Sequence, residues 1–443
     1  MEYSLIKKIS FGSVMKFTLP TIIMMIFMSL YQMIDAVFIS NFVGTNALSA
    51  VNIVFPAISL IIGLAIMLGT GGNAIIAKNM GEKDYHSARS RFSLVVLVGV
   101  LCGGMILLAG ILFVEDIVIL LGATEILHTY CVEYLKIMMI AAPFAILQML
   151  FQCFFPTAGK PHLGLGIVIA GGVANMVLDY IFIVILDWGV SGAAWATAVG
   201  YAIPGLFGLF WFLGKRDGTL YFEKPSWDGK MLLYACFNGS SEMVTNLANG
   251  VTTFLFNMAM MRFLGEDGVA AITVVLYIQF LLSAAYIGYS NGISPVISYN
   301  YGKQDHDALK RLMKISLVFI GINSLLWWGL SFLFQVPLIH IFVQPGTSVW
   351  NIINEGWVIF SVTYLLTGFN IFASAMFTAF SDGKTSALIS FLRTFAFLSL
   401  CILGLPVLIG NIGIWLSVPV AEFLTLIVSA LCFIRGEKRY HYF

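Results

Sequence analysis

The sequence predicts an all-α polytopic membrane protein, with twelve transmembrane helices in two parallel-repeat six-helix bundles around a central cleft. Three observations predict this fold: the apolar composition, the number of long apolar runs, and an internal repeat. Of the 443 residues, 60% are hydrophobic and 10% are charged, and the mean hydropathy is +0.94. A soluble core cannot cover this much apolar surface, so the chain needs lipid around it.

Twelve apolar runs are long enough to cross a bilayer. About 20 apolar residues span the hydrocarbon layer as a helix, and a helix satisfies its own backbone hydrogen bonds there. We therefore expect transmembrane helices at residues 14–39, 50–77, 92–114, 131–154, 163–186, 190–213, 231–262, 270–298, 313–334, 352–377, 386–408 and 411–434.

Basic residues predict the orientation of these helices. If the amino terminus is cytoplasmic, 20 of the 23 Lys and Arg residues fall in the inner segments. Arg262 falls on the outer side, and Lys136 and Arg393 fall within spans. This asymmetry follows the positive-inside rule, so we expect a multi-pass protein of the cell (plasma or inner) membrane with both termini in the cytoplasm.

An internal duplication divides the chain into two halves. A spaced set of six residues recurs 221 positions later. The first copy is Phe42, Gly44, Ala50, Asn79, Gly81 and Asp84, and the second is Phe263, Gly265, Ala271, Asn300, Gly302 and Asp305. Because each half holds six spans, both halves enter the membrane in the same direction, as in parallel-repeat transporters. We expect bundles at residues 1–213 and 231–443, joined by a cytoplasmic linker at 214–230.

Composition and motifs weigh against several classes of function. The six Cys and six His residues are scattered without metal-ligand spacing, and no GxxxxGK[ST] phosphate-binding motif occurs. The basic residues are explained by topology, so the net charge of +1 gives no reason to expect nucleic acid. We expect no enzymatic activity, no cofactor and no metal centre, and any uphill transport must use an ion gradient.

Polar residues in the first bundle form one candidate site. A carboxylate within a membrane span costs about 2.5–3.5 kcal/mol, so intramembrane acids indicate functional sites by default. At about 1.5 Å per residue, Asp35, Asp179 and Thr197 lie roughly 8–12 Å from the outer ends of their spans. Asn175 lies one helical turn from Asp179 and shares its face. We expect these four residues to bind a coupling ion, either H⁺ or Na⁺.

The second bundle carries different polar residues. Glu242 and Glu422 each lie about 16 Å deep by the same rise per residue, and Asn370 is the amide of the tenth span. We expect these three residues to meet a cationic substrate. Arg393 and Lys136 each have two interpretations that the sequence leaves open. One is a structural role, as an ion pair or a side chain that reaches the interface, and the other is a functional role.

Several motifs resemble those of the multidrug and toxic compound extrusion (MATE) transporters, in particular the branch of DinF and MepA. They are Pro20 followed by Asp35, the loop at residues 79–84, the run at 192–197, and Ser294-Pro295 leading to 300–302. The resemblance implies a proton- or sodium-coupled exporter of cationic drugs, with Pro20 as a hinge. Residues 363–378 of the tenth span lack the acid found in the sodium-coupled branch, which argues against a sodium site in the second bundle.

These observations favour an ion-coupled antiporter that exports cationic amphipathic drugs or toxic compounds by alternating access. We expect its partners to be small cations and membrane lipid, and we expect a monomer. Two alternatives remain. A lipid or lipid-linked-sugar flippase would line its cavity with several cationic side chains, and a non-transporting membrane scaffold would give no reason for acids at one depth.

Overall fold

The computed structural model describes residues 5, 6, 8–214, 218–340 and 342–442. Within these residues every regular element is helical. The α-helices are α1 Phe11–Phe38, α2 Thr45–Gly81, α3 Tyr85–Leu120, α4 Glu125–Ile140, α5 Ala142–Thr157, α6 Pro161–Asp179, α7 Gly189–Gly214, α8 Gly229–Gly302, α9 His306–Leu333, α10 Gln335–His340, α11 Ser348–Ser361, α12 Thr363–Ala379, α13 Gly383–Phe391, α14 Leu398–Ile409 and α15 Asn411–Tyr440. π-helical segments follow α1, α6 and α13, at Ile39–Val43, Tyr180–Ile185 and Leu392–Phe397.

The helices account for the twelve predicted spans. In the described residues, nine apolar helical stretches are long enough to cross a membrane. Two bent pairs, α4 with α5 (54°) and α11 with α12 (51°), add one span each. The 74-residue helix α8 is about 110 Å long at 1.5 Å per residue, and its backbone breaks at Gly265, where φ is 67°. Counted as two spans, α8 brings the total to twelve. Lys7, Lys215 and Arg216, which contribute to the basic asymmetry, lie outside the described residues.

Aspartates begin four of the helices. Each carboxylate accepts a hydrogen bond from the backbone N–H three residues later, which satisfies one of the unpaired donors of a helix start. The capping residues are Asp84, Asp228, Asp305 and Asp382. Asp84 and Asp305 are repeat partners, and the residues before them, Lys83 and Gln304, both have a positive φ. The repeated loop motif is therefore one turn geometry used twice.

Three hydrophobic clusters form the core. One consists of residues between Met24 and Ala235 together with Tyr299. The other two are built from the second half of the chain, but one of them includes Val14 and Ile22. The inner turns of α1 therefore pack with the second half, although the sequence assigned them to the first bundle. The proposed domain boundaries stay predictions.

Glycines bring the two halves into backbone contact. A Cβ added at Gly81 would overlap the carbonyl oxygen of Tyr299, and one added at Gly302 would overlap that of Lys78. In the 221-residue repeat, Gly81 corresponds to Gly302 and Lys78 corresponds to Tyr299. The two contacts are therefore equivalent under the twofold relation between the repeats. Because glycine has no Cβ, the helices approach closely there. This contact lies at the ends of α2 and α8 that the basic residues predict to be cytoplasmic.

The linker folds back onto the first half. The hydroxyl of Ser93 in α3 accepts the backbone N–H of Glu223 at 2.9 Å, and that of Ser90 accepts the N–H of Ser226 at 2.9 Å. Phe222 stacks on Phe92 with ring centroids 5.0 Å apart. These contacts fix the segment before α8 against the start of α3.

Candidate functional site

Two carboxyl groups meet in the first half of the chain. Asp35 comes from the last turn of α1, and Asp179 is the final residue of α6. Their side chains lie within hydrogen-bonding reach of each other, and Asp179 is 0% exposed. Oδ1 of Asp35 and both carboxylate oxygens of Asp179 are buried without a donor among the described residues. Because two ionised carboxylates have no hydrogen to share, a proton or a small cation is the missing partner.

π-helical turns lie at the buried charges of both halves. Ile39–Val43 begins four residues after Asp35, and Tyr180–Ile185 begins directly after Asp179. Arg393, which bonds to Glu422, lies inside Leu392–Phe397. π-helical turns are rare and are found frequently at functional sites. Their coincidence with the buried charges supports the prediction that these places are functional.

A small polar cavity lies beside the acid pair. Its volume is about 10 Å³, which is the space of about one water molecule. The lining residues are Tyr31, Gln148, Val168, Gly171, Gly172, Asn175, Thr197, Gly200 and Tyr201. Tyr31 and Tyr201 lie within electrostatic range of Asp35. The cavity therefore suits an ion or a water molecule and is far too small for a drug.

Glycines in α6 position the walls of this cavity. A Cβ at Gly172 would meet the rings of Phe27 and Tyr31 from α1, and a Cβ at Gly171 would meet the carbonyl oxygen of Gly200 in α7. Close approach of α1 and α7 to α6 depends on these two residues. The approach brings residues of three helices to one depth.

The structure brings the four predicted ion-site residues together. Asn175 and Thr197 line the cavity, and both polar side-chain atoms of Asn175 are buried without a partner in the described residues. Thr197 donates to the carbonyl of Ala193 at 3.0 Å and lies beside the hydroxyl of Tyr134. Their role in ion coupling stays a prediction.

Four polar residues of the site did not emerge from the sequence: Tyr31, Tyr134, Gln148 and Tyr201. Two of them carried a usable signal, because Tyr31 lies four residues before Asp35 and Tyr201 four residues after Thr197. Such spacing puts each pair on one helical face. Tyr134 and Gln148 lie on α4 and α5, and only the packing of these helices brings them near the acids.

The second half holds an ion pair instead of an acid pair. Nε and Nη2 of Arg393 donate to Oε1 of Glu422 at 2.9 and 2.8 Å. The amide of Asn370 donates to Oε2 of Glu422 at 2.7 Å, and Ser429 donates to the amide oxygen of Asn370 at 3.0 Å. The structure thus selects the ion-pair interpretation of Arg393. Glu422 and Asn370, expected to bind substrate, instead bond to each other and to Arg393 in this conformation.

Glu242 differs from Glu422 in lying where the halves meet. It is half-buried in the first part of α8, within electrostatic range of Arg393 and of Cys153 in the first half. The next residue, Met243, would contact a Cβ at Gly63 of α2 at 3.4 Å. Polar residues follow at helical spacing toward the outer end, at Asn246, Asn249 and Thr253. Glu242 therefore starts a polar face of α8, which the helical spacing of these residues in the sequence also indicates.

Pro20 and Lys136 are the two remaining residues that the sequence analysis named. Pro20 is buried within α1, which continues through it as one helix, and its role as a hinge stays a prediction. Lys136 is exposed on α4.

The repeat seen in the sequence and in the twofold glycine contacts matches a known family. The model of the MatE family matches residues 20–181 and again residues 243–403, which is well over half of the chain. The chain belongs to the MatE family. The resemblance drawn from the motifs is thereby confirmed.

Relatives of this MatE chain include two named multidrug export protein MepA. The protein from Staphylococcus saprophyticus is 26% identical over 434 residues, covering 95% of this chain and 93% of the relative. The protein from Staphylococcus aureus strain MRSA252 is 24% identical over 425 residues, with the same two coverages.

Solved structures of MATE transporters share the whole fold of this MatE chain. An outward-facing multidrug resistance MATE transporter matches with a TM-score of 0.89 at 22% identity, over 99% of this chain and 97% of that one. A MATE in its bent conformation matches with a TM-score of 0.85 at 23% identity, over 97% and 95%. At these identities the likeness shows the fold alone.

Proposed function

We propose that this protein is an ion-coupled antiporter that exports cationic amphipathic compounds across the cell membrane by alternating access. The coupling ion is H⁺ or Na⁺, and the protein works as a monomer with both termini in the cytoplasm. The contact of Asp35 with Asp179 carries the proposal, because their buried oxygens lack donors and the adjoining cavity admits only a small particle. The names of the MepA relatives support the class of substrate.

Glu242 supplies the attraction for a cation. Its carboxylate lies between the halves, whereas Glu422 is already neutralised by Arg393. The acid pair lies in the first half, and Glu242 belongs to the second half at its boundary with the first. A movement of one half against the other can therefore link binding of the ion to binding of the cation. A flippase would line the cleft with several cationic side chains. Arg393 is a cation that the sequence placed within a span, and it is paired with Glu422, which does not favour the flippase.

The proposal is tested in proteoliposomes. Uptake of ethidium is measured while a pH gradient and a sodium gradient are imposed separately, and at least one gradient should drive accumulation against the dye gradient. Asp35→Asn keeps the shape of a protonated acid but cannot release a proton, so gradient-driven transport should vanish. Asp179→Asn should act similarly, and the double variant should be little worse because the two acids titrate as a pair.

A matched control makes the same chemical change at an exposed site. Asp116 lies on the exposed surface of α3, and Asp116→Asn should leave transport unchanged. Uphill transport by Asp35→Asn at a rate near that of the unchanged protein would contradict the coupling role of the acid pair.

A further inference from the structure

The Arg393–Glu422 pair is a buried intramembrane ion pair that the proposed transport cycle does not use. Both carboxylate oxygens of Glu422 already accept hydrogen bonds within the protein: one oxygen takes both hydrogen bonds from Arg393, and the other takes that from Asn370. The side chains are 16% and 5% exposed. Buried pairs of this kind often add little stability compared with apolar residues of similar volume, so stability alone does not account for one in a membrane.

The pair fixes the charge that the cleft offers to a substrate. In the described part of the second half, the charged side chains that lie within the predicted spans and are not exposed are Glu242, Arg393 and Glu422, whereas Glu355 in α11 is exposed. The charges of Glu242, Arg393 and Glu422 sum to one negative charge. Arg393 lies within electrostatic range of Glu242, so without Glu422 it would oppose any cation that approaches Glu242. Bonded to Glu422, it leaves Glu242 as a single unpaired carboxylate.

We propose that the Arg393–Glu422 pair sets the charge selectivity of the cleft, so that one uncompensated carboxylate at Glu242 admits monovalent cations in preference to divalent ones. The inference rests on the proposed export of cations and adds the determinant of their charge. A monovalent cation neutralises Glu242. A divalent cation brings a second positive charge. Once this charge has left water it has no carboxylate to pair with, which is costly in a low-dielectric site.

The contact between Arg393 and Glu422 also allows a test that distinguishes charge balancing by Glu422 from direct binding of substrate by Glu422. If Glu422 only balances Arg393, removing its charge frees Arg393 to oppose the cation, and removing the charge of Arg393 as well restores the original sum. If Glu422 binds substrate itself, the second change brings no recovery. The variants Glu422→Gln and Arg393→Gln/Glu422→Gln therefore give opposite results under the two interpretations.

The experiment titrates the purified protein with three dyes of one skeleton. Ethidium is a monovalent cation, propidium is its divalent derivative, and dihydroethidium, handled without oxygen, is the neutral form. The unchanged protein should prefer ethidium over propidium. Glu422→Gln should weaken ethidium binding about tenfold or more and leave dihydroethidium unchanged, and the double variant should regain the original ethidium affinity.

Arg393→Gln gives the complementary change. Because the charge of Arg393 no longer opposes Glu242 and Glu422, the ratio of propidium to ethidium affinity should rise about tenfold over that of the unchanged protein. If this variant does not fold because Glu422 is left unpaired, the neutral double variant still decides the matter. Failure of the double variant to recover ethidium binding, or parallel loss of all three dyes in Glu422→Gln, would overturn the inference.

The outcome also separates the two proposals. Ethidium bound and transported by the unchanged protein, with selectivity that does not follow the charge sum, would overturn only this inference. Absence of ethidium binding by the unchanged protein would overturn the proposed function and the inference together.

Discussion

At the scale of single residues, surroundings decide what an aspartate does. Asp84 lies outside the spans, and its carboxylate accepts the backbone N–H of Ser87 at 3.1 Å. The side-chain and backbone hydrogen bonds from Ser87 lower the pKa of Asp84. A lowered pKa in the folded state stabilises the helix cap at neutral pH, and this contribution is lost as the pH falls through that pKa. Buried oxygens of Asp35 and Asp179 lack such donors among the described residues, which supports the proposal that this pair binds an ion.

The first residue-scale prediction concerns Glu242. Glu242→Gln removes the charge of the carboxylate but keeps its shape, so only the Coulomb attraction for a cation is lost. Affinity for ethidium should fall by about tenfold, which corresponds to about 1.4 kcal/mol, whereas affinity for neutral dihydroethidium should stay. Fluorescence titration of purified protein measures both. Equal loss for the two dyes would mean that Glu242 has a structural role.

At the scale of helices, glycine contacts determine how the two halves close. Backbone atoms of α2 and α8 touch at Gly81 and Gly302, and a second contact joins Gly71 to Ala235 and Gly239 nearer the middle of the membrane. The atoms that an added methyl group would meet belong to the backbone, which cannot move aside as a flexible side chain does. The close contact therefore tolerates no larger residue without separation of the helices.

We predict that Gly81→Ala or Gly302→Ala opens this contact. Spin labels at positions 82 and 303, in a background without the six native cysteines, report the distance between the two helix ends. The distance should increase by several ångströms in either variant, because the added Cβ overlaps a carbonyl oxygen of the other half.

The control for the glycine variants is Gly104→Ala in α3, where an added Cβ meets nothing within 4 Å. It should leave the distance distribution unchanged. Thermal stability in detergent is recorded for all three variants, so that unfolding is not mistaken for opening. An unchanged distance in Gly81→Ala, in folded protein, would show that the contact does not hold the halves together.

At the scale of the whole molecule, each half ends in a segment that packs on its own half. The linker after α7 lies on α3, where Phe222 stacks on Phe92. The segment at the end of α15 packs on the second half: Tyr440 donates to Asp382 at 2.9 Å, and Tyr442 donates to the carbonyl of Phe433 at 2.7 Å. Each half is thus closed by its own terminal segment, which suits rigid movement of one half against the other.

The orientation of the whole molecule gives the last prediction. The basic asymmetry places residues 78–91 and 214–230 in the cytoplasm. Single cysteines at positions 82 and 218, in a background without native cysteines, should resist an impermeant thiol reagent in intact cells. A cysteine at the exposed Gln344, predicted to lie outside, should react readily. Labelling of positions 82 and 218 but not 344 would require the opposite orientation.

The sequence by itself determined the helical membrane fold, the twelve spans, the repeat and the family, because these depend on local features. Run length sets a span, an aspartate caps the next helix, and the spacing of equivalent residues reveals the duplication. It also singled out Asp35, Asp179 and Glu242, since an acid in an apolar run is conspicuous whatever surrounds it.

Only the tertiary structure decided which of these groups meet. Asp35 touches Asp179, whereas Glu422, equally conspicuous in the sequence, is taken by Arg393. The places of Tyr134 and Gln148, and the packing of the first turns of α1 with the second half, were likewise decided by the fold. The reason is physical: in lipid, both faces of a helix are apolar, so the sequence pattern says little about which face turns inward. Rotation and crossing of the helices, set by close contacts at residues such as Gly172, determine that instead.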